Sequence, residues 1–237
     1  MFSKILVLEC LTNMHAGNGD VNYNIIDNEV EKDPVSGYPT INASGVKGAL
    51  REYFSVNGTD GKKIDAWFGS NSEKSQGKVK LLAADFVAMP VRATAGSQAS
   101  YTVTTDDTVC RINELSEVFA GKSLFKNERK NDSSAVAEGI RILRQIDFCS
   151  KPVYLVTDTE LRRVSLPVIA RNKLDNGISK NLWYEEVVPH GSIFIVPVVS
   201  DDETALNDFV TSLKGKVVQF GGNASIGYGL CKIGVEG

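Results

Sequence analysis

Two strand–helix–strand patterns, one near each end of the 237-residue chain, constrain its fold more than any other feature. At the front, the apolar run 4–11 is typical of a buried strand, and a long polar loop, a helix and a second strand over 78–89 follow it. At the back, strand 192–199 precedes a helix and two short strands, 216–220 and 230–235. The two units predict an α+β fold with a split βαβ, ferredoxin-like core and insertions between them.

Three helices are predicted from apolar residues that recur every three or four positions. Their stripes are Val46, Ala49, Leu50, Tyr53 and Phe54; Val109, Ile112, Leu115, Val118 and Phe119; and Ala205, Leu206, Phe209, Val210 and Leu213. Ser44 is the expected N-cap of the first helix, and Thr105 or Asp106 of the second. The second helix lies in the inserted region, before a further strand predicted over 152–157.

A hairpin is predicted over 163–183, where two polar-alternating arms flank the turn sequence Asp175-Asn176-Gly177. Its few apolar residues can bury little area, so we expect it to project from the core. Because exposed charges contribute little to stability, on the order of 0.5 kcal/mol or less, alanine at Arg171 and Lys173 should leave stability unchanged.

Charge is distributed unevenly along a chain whose net charge of −3 does not by itself suggest a nucleic-acid partner. Positions 161–181 contain five basic residues, Arg162, Arg163, Arg171, Lys173 and Lys180, against one acid, Asp175. Acid is concentrated elsewhere, for example at Glu185-Glu186 and over 201–203. Such clustering permits phosphate binding on one face, although solvated surface charge explains it equally well.

Cysteine and hydropathy patterns exclude several classes of protein. The four cysteines are far apart in sequence and form no C-x-x-C pair, and the chain has only two histidines. A structural zinc site is therefore not expected, and we expect the cysteines to be buried, reduced thiols. No apolar run is long enough to cross a bilayer, and the start of the chain lacks the pattern of a signal peptide. We therefore expect a cytoplasmic protein without a membrane partner.

Several residues are candidates for chemistry, each with a plain structural alternative. Lys47 and Arg51 share one face of the first helix near its N-terminus, where a phosphate would be favoured. The glycine loop, 221–229, can let a nucleic-acid backbone approach closely, or it can be a tight strand connection. His15 is a candidate general acid or base, a hydrogen-bond donor to a phosphate, or a structural histidine, whereas His190 between proline and glycine is expected in a turn.

Asp27 follows the apolar pair Ile25-Ile26. Its carboxylate can polarise a ribose 2′-hydroxyl or hold a divalent ion if RNA binds nearby. Spacing alone does not distinguish it from Asp20, Glu29 or Asp33.

A family resemblance adds to these observations. It is carried, in order and spacing, by the runs 11–19 (LTNMHAGNG), 26–30 (IDNEV), 33–39 (DPVSGYP), 43–51 (ASGVKGALR), 67–70 (WFGS), 89–92 (MPVR), 182–186 (LWYEE) and 221–229 (GGNASIGYG). Over nearly the whole chain, the set resembles the RAMP superfamily and, within it, the backbone subunit of type III-B (Cmr) CRISPR complexes. The type III-A (Csm) backbone subunit shares the front half. The chain departs from the pattern at Asn13-Met14, where many members have proline, and it is short for the III-B branch, which suggests a trimmed insertion over 57–78.

The resemblance implies one RAMP domain over 1–237, with an RRM-like palm and the hairpin as its thumb. It implies copies stacked in a helical filament along a guide RNA, with other type III subunits, and cleavage of single-stranded target RNA at regular intervals. Asp27 matches the acid that cuts with a divalent ion, Mg²⁺ or Mn²⁺. The matched RNA-binding positions are His15, Lys47, Arg51, Arg171, Lys173, Gly221, Gly222, Asn223, Ser225, Gly227 and Gly229.

Two alternatives stay open at this point. One is a purely structural RNA-binding subunit that does not cut. The other is a guide-processing ribonuclease of the same superfamily that uses His15 as acid or base without metal.

Overall fold

The computed structural model describes residues 1–19, 26–70, 75–129, 136–137 and 139–237. The helices are α1 (Ala43–Val56), α2 (Gly61–Phe68), α3 (Asp106–Ala120), α4 (Asp158–Leu161) and α5 (Glu203–Leu213). The strands are β1 (Phe2–Cys10), β2 (Gly69–Ser70), β3 (Ser75–Gln76), β4 (Val79–Leu81), β5 (Asp85–Ala95), β6 (Ser100–Thr104), β7 (Phe125–Arg129), β8 (Val136–Ala137), β9 (Ile140–Arg141), β10 (Arg144–Phe148), β11 (Lys151–Leu155), β12 (Val168–Asp175), β13 (Ile178–Glu186), β14 (Ile193–Ser200), β15 (Val217–Gln219) and β16 (Leu230–Glu236).

The predicted ferredoxin-like core is confirmed by the order of the central strands. β1 pairs antiparallel with β16 on one side and with β14 on the other, and β14 pairs antiparallel with β5. Helix α1 lies between β1 and β5 in the chain, and α5 lies between β14 and β16. The spatial order β16-β1-β14-β5 is therefore that of a split βαβ sheet.

The middle of strand β1, residues 5–8, is an uninterrupted apolar run because both faces of the sheet are covered here. Leu6 and Leu8 belong to the core that also contains residues of α1, α2 and α5. Ile5 belongs to a second core, on the opposite face, to which Ile112 of α3 contributes. Successive side chains of a strand point to opposite faces, so a strand between two helical layers needs apolar residues at every position.

The predicted helical stripes are largely confirmed, with two corrections. Helix α3 has the expected N-cap, because the Thr105 hydroxyl accepts a hydrogen bond from the Thr108 N–H. Helix α1 begins at Ala43 after Asn42, so the prediction of Ser44 as its N-cap is wrong. Val118 was predicted in the α3 stripe but is 71% exposed, because the sheet covers only the opposite side of this helix.

The inserted region extends the sheet rather than forming a helical unit alone. Beyond β5, the sheet continues through β6, β11, β10 and β7, with β6 and β11 parallel. The predicted strand 152–157 corresponds to β11. The short strands of this region were not predicted, and neither was helix α2 in the front unit, because these elements span too few residues to show a period.

The predicted hairpin is present as a separate two-stranded sheet, β12–β13, called here the thumb hairpin. Its turn residues, Asn176 and Gly177, have φ values of 50° and 81°, the left-handed pair that a tight hairpin turn requires. The first strand starts at Val168 rather than at 163, since helix α4 and its capping box at Thr157 precede it. Most of its side chains are exposed, as expected of a projecting element.

None of the helices in the described ranges is long and apolar enough to span a membrane.

The aromatic cluster between α1, α2 and α5 gives a test of the core. Phe54 is 3% exposed, and its ring lies 4.8 Å from that of Trp67 and 5.8 Å from that of Phe209. We expect Phe54→Ala to lower the free energy of unfolding by about 3–5 kcal/mol in chemical denaturation, because it leaves a cavity. Val56→Ala, at a 74% exposed position of the same helix, is the control and should change it by less than about 0.5 kcal/mol.

Candidate functional site

The base of the thumb hairpin, residues 183–186 at the end opposite its turn, contacts three segments that are distant in sequence. These are the loop that contains His15 (residues 11–19, the His15 loop), the segment 26–32 that contains Asp27, and the glycine loop. The run Trp183-Tyr184-Glu185-Glu186 thus brings together candidates from both ends of the chain.

Asp27 is held by the backbone of the thumb hairpin. Its carboxylate Oδ2 accepts a hydrogen bond of 2.8 Å from the Tyr184 N–H. The N–H groups of Asp27 and Asn28 both donate to the Tyr184 carbonyl, at 3.1 and 3.2 Å, and the Glu186 N–H donates to the Asn28 carbonyl. Asp27 is exposed, and no described residue donates to its Oδ1. One oxygen of the carboxylate therefore fixes its position, while the other has no hydrogen-bond partner among the described residues.

The other acids near Asp27 differ from it. Asp33 Oδ1 accepts from the Val35 and Ser36 N–H groups and from the Ser36 hydroxyl, so this carboxylate stabilises a turn. The pKa of the Asp33 carboxyl is lowered, and the hydrogen bond from the Ser36 N–H is the largest cause. Glu29 is half-buried and has no hydrogen bond to its carboxylate among the described residues. Asp20 lies outside the described residues.

The donor set fits a divalent ion only in part. No three His, Cys, Asp or Glu residues of the described ranges come together as a metal-binding group. Mg²⁺ is nevertheless commonly held by one or two carboxylates, with water and phosphate oxygens completing its shell. The free Oδ1 of Asp27 fits an ion shared with RNA, and it does not fit a closed protein site.

Glu185 is a buried carboxylate with three donors. It is 5% exposed and accepts from Trp183 Nε1 at 2.8 Å, from Arg171 Nη1 at 3.1 Å and from Asn223 Nδ2 at 3.0 Å. The Arg171 guanidinium lies 5.7 Å from the ring centroids of both Trp183 and Tyr228. This network joins both strands of the thumb hairpin to the glycine loop.

The expectation that Arg171 is an exposed charge is wrong, since its side chain is only 20% exposed and pairs with Glu185. The Glu185-Glu186 acid is separate from the basic residues in the sequence but contacts two of the chain's cations in space, Arg171 and Lys32. Lys173 and Lys180 agree with the prediction of exposed charges on the hairpin, because both are exposed and have no ion pair in the described part of the chain.

Glu186 and His15 connect the Asp27 segment to the His15 loop. Glu186 is 5% exposed, and its carboxylate accepts from the Val30 N–H at 3.1 Å and from Lys32 Nζ at 2.9 Å. The His15 Nδ1–H donates to the Glu186 carbonyl over 2.7 Å. In the neutral ring this bond leaves Nε2 as the acceptor nitrogen. A Cβ on Gly17 would lie 3.0 Å from Nε2, so glycine there keeps that nitrogen accessible.

The glycine loop packs on the His15 loop, which supports its interpretation as a structural connection. The Gly222 N–H donates to the His15 carbonyl at 2.8 Å, and the Gly229 N–H donates to the Asn13 carbonyl at 2.8 Å. Gly221 has a φ of 77°, and a Cβ there would lie 2.3 Å from the His15 carbonyl oxygen. Gly227 has a φ of 82° with no atom within 4 Å of such a Cβ. Ser225 beside it is exposed.

Lys47 and Arg51 form a second cluster on α1. Both line a groove of about 800 Å³ together with Ser44 and Gln76. Arg51 donates to the Gly69 carbonyl and to Asp65 Oδ1, each at 2.7 Å, so it ties α1 to the end of α2. Lys47 is exposed and has no hydrogen-bond or ion-pair partner among the described residues. Of this pair, Lys47 is the cation that remains available to a ligand.

Among the remaining residues, the prediction for His190 is confirmed, and three residues of the site were not predicted. His190 lies in a turn, as expected, and its N–H donates to Asn13 Oδ1. Glu185, Trp183 and Tyr228 were not predicted as site residues. The run LWYEE marked the first two, but nothing in its spacing indicated that Glu185 would be buried against Arg171.

The buried ion pair gives a test. Arg171→Ala should lower the free energy of unfolding by on the order of 2 kcal/mol, because it leaves Glu185 buried without its cation. The effect should be smaller than for a fully enclosed pair, since 20% of the Arg171 side chain remains exposed. Lys173→Ala, two residues along the same strand, should change it by less than about 0.5 kcal/mol. Equal denaturation midpoints for the two variants would contradict the assignment.

Comparisons with known proteins agree with this geometry. The RAMP superfamily model matches residues 7–232. The CRISPR system Cmr endoribonuclease Cmr4 of Pyrococcus furiosus is 24% identical over an alignment of 285 positions, gaps included, which covers 98% of this chain and 95% of that protein. Oligomeric Cmr4 from Pyrococcus furiosus has a TM-score of 0.74 at 20% identity and covers 100% of this chain and 98% of its own. The type III-B Cmr-beta structure with cognate target RNA has a TM-score of 0.78 at 19% identity, with coverages of 99% and 97%. At these identities the solved structures show the fold alone, and the family match establishes that the chain belongs to the RAMP superfamily.

Proposed function

We propose that the chain is a repeating guide-RNA-binding backbone subunit of a type III CRISPR effector complex, and that Asp27 cleaves the target RNA paired with the guide. The observation that carries the proposal is the exposed Asp27 carboxylate, which the Tyr184 N–H fixes through Oδ2 while no described residue donates to Oδ1. The name of the Pyrococcus furiosus relative supports it, because that protein is an endoribonuclease of a Cmr system.

Asp27 has the geometry of a group that acts on bound RNA. Fixed at the base of the thumb hairpin, it can accept the proton of a ribose 2′-hydroxyl that RNA brings to Oδ1. The 2′-oxygen then attacks the adjacent phosphorus and the P–O5′ bond breaks, which leaves a 2′,3′-cyclic phosphate on one fragment, while the departing 5′-oxygen takes a proton from water. Asp27 would also hold a Mg²⁺ or Mn²⁺ ion, which supplies charge stabilisation at the phosphate when it is bound.

RNA binding by a chain of net charge −3 is best explained by many copies acting together. Lys47 and Lys173 are available in each copy, whereas Arg51 and Arg171 are committed to internal pairs. Each copy then needs only a low affinity for RNA, since linked copies add their binding free energies along one guide. Base pairing with the guide supplies sequence specificity, as in other RNA-guided complexes.

One observation favours a second candidate function, a metal-independent ribonuclease that uses His15. The Nδ1–H bond to Glu186 presents Nε2 as a base. Cleavage of a repeat hairpin in excess chelator, lost in His15→Ala, would support this alternative over target cleavage.

Substitution of the acid tests the proposal. In complexes assembled with guide RNA, Asp27→Asn should reduce target cleavage by about 100-fold or more. Assembly and target binding should persist, because the asparagine oxygen can still accept from the Tyr184 N–H. Cleavage should stop in chelator and return with Mg²⁺ or Mn²⁺.

Glu29→Gln, which removes a nearby carboxylate without described partners, is the matched control and should cut normally. Unchanged cleavage by Asp27→Asn at the same regular sites would refute the assignment. Absence of cutting by the unmodified complex, with both metals and a fully matched target, would instead identify a purely structural subunit.

A further inference from the structure

Two buried thiols face each other at the base of the candidate site. Cys10, the last residue of β1, lies directly opposite Cys231 of β16. Their sulfur atoms are 3.6 Å apart, and the residues are 1% and 0% exposed. The Cys231 thiol donates a weak hydrogen bond to the Cys10 sulfur, so no other group lies between the two sulfur atoms.

The hydrogen bonds of Cys10 define the geometry of this pair. Its N–H donates to the Ser192 carbonyl, and its carbonyl accepts from the Gly191 N–H, so both groups point away from β16. Cys10 and Cys231 therefore form a non-hydrogen-bonded antiparallel pair, in which Cα atoms are about 4.5 Å apart. A disulfide accepts Cα separations of roughly 4.4–6.8 Å, so this pair lies at the short end of the permitted range.

The two loops of the candidate site begin at this pair. The His15 loop follows Cys10, and the glycine loop ends just before Cys231. The Leu11 N–H donates to the Leu230 carbonyl at 2.7 Å, and the Gly229 N–H donates to the Asn13 carbonyl at 2.8 Å. A covalent bond between the thiols would fasten the two loops at their common base.

We propose that Cys10 and Cys231 form a reversible cross-strand disulfide that rigidifies the His15 loop and the glycine loop. The oxidant is a low-molecular-weight disulfide such as oxidised glutathione. One S–S bond forms in the protein and one breaks in the oxidant, which takes up two electrons and two protons and leaves as two thiols. A cross-strand bond at the short limit of Cα separation is strained, and strained disulfides are reduced readily, which makes the bond reversible.

Burial limits how fast the pair reacts. The hydrogen bond with Cys231, together with burial, holds the pKa of the Cys10 thiol well above its usual value, so the reactive thiolate is scarce while β16 is in place. On its outer side, β16 pairs with the three-residue strand β15, whose Val217 is 44% exposed. Local opening of this edge exposes the thiols, so oxidation should follow the rate of edge opening.

The test uses the full chain, without RNA, in a Cys110→Ser, Cys149→Ser background that removes the other two thiols. After incubation with oxidised glutathione, the mass should fall by about 2 Da, and a peptide joining Cys10 to Cys231 should be recovered. The Tm should rise by about 4 °C or more and return on addition of reductant. The Gly222 and Gly229 amide hydrogens should exchange about tenfold more slowly in the oxidised protein.

The matched control adds Cys231→Ser to that background, and it should show none of these changes. The unmodified chain is mapped in parallel, so that the test does not depend on the folding of the variants, and the Cys10–Cys231 peptide should again be found. A glutathione adduct on either cysteine, or full alkylation of both thiols after oxidation and unfolding, would overturn the proposal. The measurement involves no RNA cleavage, so its outcome is independent of the role proposed for Asp27.

Discussion

The burial of two adjacent carboxylates, Glu185 and Glu186, determines the arrangement of the candidate site. Successive side chains of a strand point to opposite faces, so the two acids at the end of β13 reach different partners. Glu185 binds Arg171 and Asn223 on one side, and Glu186 binds Lys32 on the other. A buried carboxylate is stable only with its partners in place. The thumb hairpin, the glycine loop and the Asp27 segment are consequently fixed by one dipeptide.

This arrangement couples the thumb hairpin to Asp27 directly. The acid binds the backbone of Tyr184 rather than a side chain, so its position depends on the path of β13 and not on the identity of residue 184. Under the proposed function, a displacement of the hairpin by RNA would move the acid with it. Side-chain changes on the exposed part of the hairpin should therefore alter RNA contacts without displacing the carboxylate.

The sequence predicted the parts of the fold that have a clear period, and it did not predict those that depend on long-range pairing. The run 4–11 and the Asn176-Gly177 turn specified β1 and the thumb hairpin locally. Nothing local indicated that Arg171 would be partly buried. Its partner Glu185 is held by Asn223, which lies 38 positions further along the chain than Glu185. Asp27 and Asp33 look alike in sequence, and hydrogen bonds to the Asp33 turn are what separate them. The family resemblance singled out Asp27 where spacing did not.

The glycine loop illustrates how structural and ligand-binding demands can divide a single motif. Gly221 and Gly229 are required by close backbone contacts, since a Cβ at either would lie within 2.3 Å of a carbonyl oxygen. The Asn223 side-chain amide donates a hydrogen bond to Glu185. These residues would be needed even if the loop never touched RNA. Ser225 and Gly227 have no comparable packing role in the described structure, so under the proposed function an RNA backbone would approach the outer part of the loop without disturbing the inner part.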